Sequence, residues 1–333
     1  MSAPTRPDPA PLMMILSGAR MQAALVACLE LRLCGHLAEG GCTAEELAKR
    51  AGASARGTQA LLDAMVAIEV CAVTDGVYRN APLGDAFLVP GRPGYLGEEE
   101  GPMFRAGAAV WAQLTELARS GQPAHENDSP AMLAFWTALT PAIGRRGRPV
   151  AEEAVRLLGL TEGSPSLLDV GGGAALYSLA ILRLNERARA TQLDWPHVNA
   201  IAKAEIDAAG LAARFHTIDG DFRTTPPGGP YDVAVLSNIA HQESEASAVD
   251  LMRRLRGALR PGGRLLVSEF LVDDGRAGPP ASLLFNLNML ANTSGGRAYE
   301  KSHLARLMGD AGFGEPAFQR VGPMATLAHA VRT

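Results

Sequence analysis

The chain has 333 residues, 47% of them hydrophobic and 20% charged, with a formal net charge of −4. That length is ample for a large core or for two domains, and the balance excludes a disordered chain. The acidic charge offers no general attraction to nucleic acid or an anionic membrane, and no uninterrupted apolar run approaches the roughly 18 residues of a membrane span.

Met1 to Pro11 is Pro-rich and lacks the basic-then-apolar order of a signal peptide. Residues 1–11 are predicted to be a disordered lead-in to a cytoplasmic protein. Apolar and small residues from about Leu12 to Leu37 recur at helical spacing. Cys28, Cys34, Cys42 and Cys71 form no C-x-x-C pair, so they read as reduced, buried thiols, and no metal site is expected. Thr43-Ala-Glu-Glu46 has the form of a capping box opening a short helix to about Ala51. Ser54 caps another helix to about Ile68. Val70 to Arg79 reads as strand, Asp75-Gly76 turn, strand.

Three helices and a small hairpin follow the order of a winged helix. The helix that would enter a DNA groove carries only Arg56 as a cation, beside Asp63, and phosphate contacts need several. The sequence favours a dimerisation module over a DNA-binding one. It is assigned residues 12–102, ending in the Pro/Gly-rich and acidic stretch Pro90 to Pro102. Helices are expected near Ala106–Ser120, Pro130–Leu139 and Pro149–Leu158, with Arg145-Arg-Gly-Arg148 as a solvated helix end.

From Ser166 strand and helix alternate, which specifies a parallel sheet with helices on both faces. Strands are predicted near Leu167–Val170, Ala190–Leu193, Ala213–Thr217, Val233–Leu236, Arg264–Phe270, Ala317–Val321 and Ala325–Val331. Helices are predicted near Ala174–Leu184, Pro196–Ala209, Ser244–Leu259 and Lys301–Ala311. The last two strands have no helix between them and can close the sheet as an antiparallel hairpin. The expected fold is thus α/β: a Rossmann-like, doubly wound, seven-stranded sheet over residues 103–333, plus the N-terminal helical domain.

Three elements of this second domain point to a nucleoside cofactor. Asp169 ends an apolar run, and Gly171 and Gly173 then let the backbone approach a ligand at the start of a helix. Asp194 ends the second strand about twenty residues later, where a carboxylate suits a ribose diol. Asp219-Gly-Asp-Phe222 follows the third strand; a carboxylate there can accept from an exocyclic amine, and Phe222 can pack on a purine. A dinucleotide fingerprint needs a third glycine where this chain has Leu176. The pattern therefore suits adenosine with an amino-acid tail, as in S-adenosyl-L-methionine. Trp195, Gly220 and Ser237 complete the predicted cofactor set.

These residues resemble the S-adenosylmethionine-dependent small-molecule O-methyltransferases, a family that includes plant caffeic-acid and acetylserotonin methyltransferases and bacterial natural-product enzymes. The matching pieces are Asp169 to Gly173, Leu193 to Val198, Gly220-Asp-Phe222, His241, Leu259 to Glu269 and Gly295-Gly-Arg297. The resemblance covers nearly the whole chain and implies a homodimer formed through the N-terminal domain, with a small-molecule acceptor. It implies that Gly171 and Gly173 line the methionine portion, Asp194 holds the ribose, and Asp221 and Phe222 hold the adenine. It also implies His241 as general base and Glu269 as its orienter. The chemistry is coherent: a phenol of pKa about 10 needs a base, and a histidine, ordinarily about 6.5, can take its proton during attack.

Two departures stand out. The plant enzymes read His-Asp-Trp at the base, where this chain reads His241-Gln242-Glu243. They carry a second acidic orienter after the paired glycines, where this chain has Ala298, with Glu300 two residues on. The acceptor is therefore a hydroxyl of an aromatic metabolite, or alternatively a carbon or nitrogen that needs less base; non-methylating relatives and a winged-helix regulator are further alternatives. Phe285, Asn288, Met289 and Asn292 share one face of an apolar helix and are candidate pocket residues. Trp111, Phe135 and Trp136 are further candidates from earlier helices.

Overall fold

In the computed structural model, residues 8–96, 107–124, 140, 147–322 and 324–333 are described. The chain divides into two units, Met1–Ala112 and Gln113–Thr333. The expected division at 102/103 lies outside the described residues, as do the helix at 130–139 and Arg145 and Arg146 of the basic cluster.

The first unit contains helices α1 (Ala10–Leu16), α2 (Gly18–Glu30), α3 (Leu33–Ala38), α4 (Ala44–Ala51) and α5 (Ala55–Ala67). Strands β1 (Cys71–Thr74) and β2 (Val77–Asn80) follow, then α6 (Pro82–Leu88). The capping box of α4 is formed: Glu46 N–H donates to Thr43 Oγ1 at 3.3 Å, and Thr43 N–H to the Glu46 carboxylate at 2.9 Å. Ser54 caps α5 through the Gly57 amide. Asp75 and Gly76 both have positive φ, 51° and 75°, as a two-residue hairpin turn requires.

Three features differ from expectation. The Leu12–Leu37 run is three helices, interrupted at Ser17 and at Leu31-Arg32, where Arg32 adopts φ 51°. Helix α1 starts at Ala10, inside the expected lead-in. Helix α6 was not anticipated, although Pro82 stands at its first position, where a missing N–H costs nothing. The four cysteines are free and buried.

The second unit opens with α7 (Leu114–Ser120) and α8 (147–157). Strands β3 (Ser166–Val170), β4 (Arg189–Asp194), β5 (Phe215–Asp219), β6 (Tyr231–Ser237), β7 (Leu259–Glu269), β8 (Ala317–Val321) and β9 (Ala325–Val331) form one sheet in the order β5-β4-β3-β6-β7-β9-β8. Pairings from β5 through β7 are parallel, while β9 is antiparallel to both neighbours. The remaining helices are α9 (Leu176–Leu184), α10 (Pro196–Ala208), α11 (Glu245–Ala258), α12 (Pro280–Asn292) and α13 (Lys301–Asp310).

Side-chain alternation puts Leu168, Val170, Leu236 and Val267 in a core with α11 and α13. Leu167, Val235 and Leu266 face the other way, into a core with α8, α9 and α10. Burial on both faces explains the near-continuous apolar strands. Strand order reverses between β3 and β6, so a crevice opens at their carboxyl ends, where ligands bind in such sheets.

Boundaries moved where backbone geometry overrode composition. Strand β7 pairs from Leu259, through an irregularity beside Tyr231 and Val233, and ends at Glu269, leaving Phe270 outside. Strand β5 starts at Phe215, after a tight turn at Ala212–Arg214. Helix α9 starts at Leu176 because Ala175 is left-handed.

Candidate active site

The glycine turn caps β3 at the switch point. Gly171 N–H donates to the Leu193 carbonyl at 2.9 Å, continuing the β3–β4 pairing past the strand end. Gly171 and Gly173 have φ 62° and 57°, which only glycine adopts cheaply. Gly172 is required for another reason: a Cβ there would lie 2.7 Å from Asp169 Cγ and 2.6 Å from Gln192 Oε1. Ala175 has φ 60°, a conformation that costs an alanine about 1–2 kcal/mol.

Two carboxylates frame this turn. Asp169 is fully buried; its Oδ2 accepts from the Ser178 amide at 3.1 Å and hydroxyl at 2.9 Å. Its Oδ1 has no partner among the described residues. Burial pushes Asp169 up to about 6, against those two hydrogen bonds. Asp194 divides its oxygens between the Gly173 amide at 3.1 Å and the Trp195 amide at 2.8 Å. Burial raises it to about 6 as well, although both amides favour the ionised form.

A buried amide network holds these strand ends in register. Asn199, on α10, donates to the Asp194 carbonyl, the Ile218 carbonyl and the Asp219 carboxylate at 3.0, 3.0 and 2.7 Å. Gln192 donates to the Gly173 carbonyl at 3.0 Å and to Asn199 at 3.2 Å. Neither amide was singled out from sequence; Gln192 lies inside a predicted strand and is fully buried, and a buried polar group needs partners. Trp195 is half-buried and stacks on His197 with centroids 5.8 Å apart.

The Gly220 turn leaves β5, its amide donating to the Asp194 carbonyl at 3.0 Å. Asp221 and Phe222 lie on it, half-buried. Arg254 of α11 braces the turn by donating to the carbonyls of Phe222 (2.9 Å), Arg223 and Thr225 (2.6 Å). Ser237 ends β6, and its hydroxyl, with that of Ser268, hydrogen-bonds the buried Tyr177 phenol, which burial pushes up to about 12.

The structure brings His241 and Glu269 together. Both are buried, and His241 Nδ1 lies 2.5 Å from Glu269 Oε2, while the His241 amide donates to Oε1 at 3.1 Å. With Nδ1 committed to Glu269, Nε2 is the nitrogen left to accept a proton. Phe285 meets the imidazole edge-on at 4.9 Å, and Phe270 lies offset over it at 5.9 Å. Phe285 was expected as a pocket wall; Phe270 was missed because it read as a strand end.

The paired glycines have a packing role. A Cβ on Gly296 would lie 2.3 Å from the His241 carbonyl, and one on Gly295 would press on Ser244 at 3.1 Å. Arg297 N–H donates to the same His241 carbonyl at 2.8 Å. Ala298 is buried and offers no polar group; its amide is held by Asn286 of α12 at 2.9 Å. Glu300 pairs with Arg276 at 2.6 Å and faces His303 at 3.7 Å, so its carboxylate is committed away from His241. On α12, Met289 is buried, Asn288 is half-buried, and Asn292 donates to the Asn288 carbonyl at 2.9 Å. Trp136 and Phe135 lie outside the described residues, and Trp111 belongs to the first unit, 37% exposed.

The donor set fits adenosine carrying a cationic amino-acid tail. Asp194 and Asp221, at the carboxyl ends of neighbouring strands with the buried Asp169 behind them, make the crevice acidic, which attracts an ammonium or sulfonium and repels a pyrophosphate. Arg223, which follows Asp221 and Phe222, is paired with Asp221 and Glu243.

Comparisons with known proteins agree. Residues 123–314 match an O-methyltransferase domain model, and residues 13–90 match an O-methyltransferase dimerisation domain model. The chain is 33% identical over 302 residues to the 3-hydroxy-5-methyl-1-naphthoate 3-O-methyltransferase of Streptomyces sahachiroi, covering 87% of this chain and 85% of that protein. It is 31% identical over 315 residues to the tetracenomycin polyketide synthesis 8-O-methyl transferase TcmO of Streptomyces glaucescens, covering 92% and 91%. The solved structure of human N-acetylserotonin methyltransferase in complex with S-adenosylmethionine superposes with a TM-score of 0.83 at 25% identity, over 99% of each chain. The chain belongs to the S-adenosylmethionine-dependent O-methyltransferase family, and S-adenosylmethionine is the cofactor that its crevice serves.

Proposed function

We propose that the protein methylates a hydroxyl of a small aromatic secondary metabolite, a fused-ring or polyketide-like phenol, with His241 as general base. The observation that carries this reading is the buried His241–Glu269 contact of 2.5 Å at the carboxyl end of the sheet. The naphthoate- and polyketide-directed names of two relatives support the acceptor class.

When bound, the cofactor supplies a methyl group on a sulfonium, open to in-line displacement. The chain supplies positioning and proton removal. Asp194 would hold the ribose, and Asp221 and Phe222 would hold the adenine. Glu269 keeps His241 Nδ1 protonated, so Nε2 receives the phenol proton and the imidazolium is stabilised by the carboxylate beside it. Phe270 and Phe285 wall the imidazole with apolar surface and present aromatic faces to a flat acceptor.

The first unit would serve dimerisation. Its helix α1 exposes Leu12, Met13, Met14, Ile15 and Leu16, each at least 53% accessible, and buries none of them. A homodimer would cover such a face.

A panel of hydroxynaphthoates, hydroxyanthraquinones and simple phenols with methyl-labelled S-adenosylmethionine tests the assignment. Label should appear on oxygen with at least one fused-ring phenol and vanish in His241→Ala, with cofactor binding kept. Label on carbon or nitrogen instead, or a His241→Ala enzyme as fast as the parent, would overturn it.

A further inference from the structure

We infer that the ion pair between Arg223 and Glu243 is a positioning link, fastening the adenine-holding turn to the segment that carries His241, so that filling the cofactor crevice sets the base. This rests on the roles given above to Asp221, Phe222 and His241.

Glu243 follows the base by two residues. It is only 5% exposed, and a buried carboxylate is strongly unfavourable unless paired. Its partner arrives from the adenine turn. Arg223 places Nε 3.0 Å and a terminal nitrogen 2.9 Å from Glu243 Oε1, and the Ser247 hydroxyl takes Oε2.

The same guanidinium is attached to the turn at two further points. It lies over the Phe222 ring, 5.2 Å from the centroid, and its other terminal nitrogen lies 3.4 Å from Asp221 Oδ2. One side chain thus touches both residues assigned to the adenine and the carboxylate beside the base. Arg254 holds the backbone of the turn against α11. A change at Asp221 or Phe222 therefore passes into the Arg223 side chain and not into sliding of the loop.

The receiving end is equally constrained. The Glu243 amide donates to the Ala240 carbonyl at 3.2 Å, and its carbonyl accepts the Tyr299 phenol at 3.3 Å. His241 lies between, inside a single tight turn, Ala240–Gln242. Displacing Glu243 must turn that segment, because both of its flanks are tied.

An adenine amine seated on Asp221 competes for the oxygen that faces Arg223. Arg223 then turns from Asp221 further onto Glu243, and the segment tightens. The link offers a means of holding His241 in a chain that lacks the second carboxylate at Ala298.

Amide hydrogen exchange with S-adenosylhomocysteine as the probe tests this. In the parent enzyme, adding the probe should slow exchange across residues 239–243. The double variant Arg223→Leu/Glu243→Met leaves no charge buried alone and should melt near the parent temperature. It should bind the probe but lose the slowing at 239–243, and its kcat should fall on the order of 10- to 100-fold with little change in acceptor KM. Glu243→Gln, which keeps the shape and removes the charge, covers the case in which the double variant fails to fold; it should lose most of the slowing. Parent-level slowing in either variant overturns the link. The exchange readout uses no acceptor, so an active His241→Ala enzyme would sink the base assignment without producing that result.

Discussion

The two oxygens of Glu269 are divided within one residue: Oε2 lies 2.5 Å from His241 Nδ1, and Oε1 accepts the backbone N–H of the same histidine at 3.1 Å. One carboxylate thus sets the tautomer, the ring direction and the backbone of the base. Replacing it leaves nothing polar at Ala298 to compensate. Glu269→Gln should retain S-adenosylhomocysteine affinity and lower kcat on the order of 10²- to 10⁴-fold, the range seen when a base loses its orienter. Calorimetry with single-turnover methyl transfer separates the two effects.

Asp194 gives a pH dependence of opposite sign for binding and for stability. A carboxylate must be ionised to accept from both ribose hydroxyls, and burial has raised Asp194 to about 6. Affinity for S-adenosylhomocysteine should therefore weaken as pH falls through about 6. Asp194→Asn should weaken it on the order of 100-fold at pH 7.5 and flatten that dependence, as an isothermal titration series would show.

Stability runs the other way. Asp169 and Asp194 are both raised from 3.8 to about 6, so the folded state binds these protons more tightly than the unfolded one. Their contribution is fully present below about 3.8 and is lost as pH rises through about 6. The ligand-free enzyme should thus gain stability from these two groups between pH 7 and pH 5. Melting curves of Asp169→Asn against the parent would test this; the variant should show a smaller rise.

Gly172 and Gly296 are held by contact, not by backbone conformation. An added methyl at 172 meets Asp169 and Gln192, and one at 296 meets the His241 carbonyl at 2.3 Å. Each alanine variant should cost about 1–3 kcal/mol, as overpacking does. Gly172→Ala should also abolish cofactor binding, whereas Gly296→Ala should spare it and lower kcat. Thermal melts with cofactor titration distinguish them.

Ala175 is the reverse case. Its φ of 60° makes alanine the strained choice, and a glycine's conformational freedom is missing where the turn enters α9. Ala175→Gly should be stabilising by about 0.5–1 kcal/mol after the entropy of the unfolded glycine is counted. An unchanged or lower melting temperature would show that the neighbouring packing of Ala175 outweighs its backbone strain.

Much of the catalytic unit was legible because its signals are local. Asp169, the glycines and Asp194 lie at strand ends, where the apolar run stops and the turn residues are contiguous in sequence. Caps at Thr43 and Ser54 and the Asp75-Gly76 turn are chemistry between near neighbours. Arg223 and Glu243 were not legible, since a buried ion pair across 20 residues looks from sequence like two solvated charges. Phe270 was hidden by the last turn of an apolar run. Asn286 stood beside Phe285 and Asn288 but faced a backbone amide 12 residues on. The break at Arg32 had no glycine or proline to announce it.

The bond from Asn286 to the Ala298 amide gives α12 an uneven tolerance for redesign. Leu284 and Leu287 on the same helix are 67% and 36% exposed and hold no such backbone contact. Asn286 differs, because its loss leaves the buried Ala298 amide without its side-chain acceptor, next to the Arg297 amide that holds the His241 carbonyl. A library aimed at new acceptors should therefore vary Phe285, Asn288 and Met289 while keeping Asn286 fixed; libraries that randomise the whole helix will be filled with variants that bind cofactor and do no chemistry.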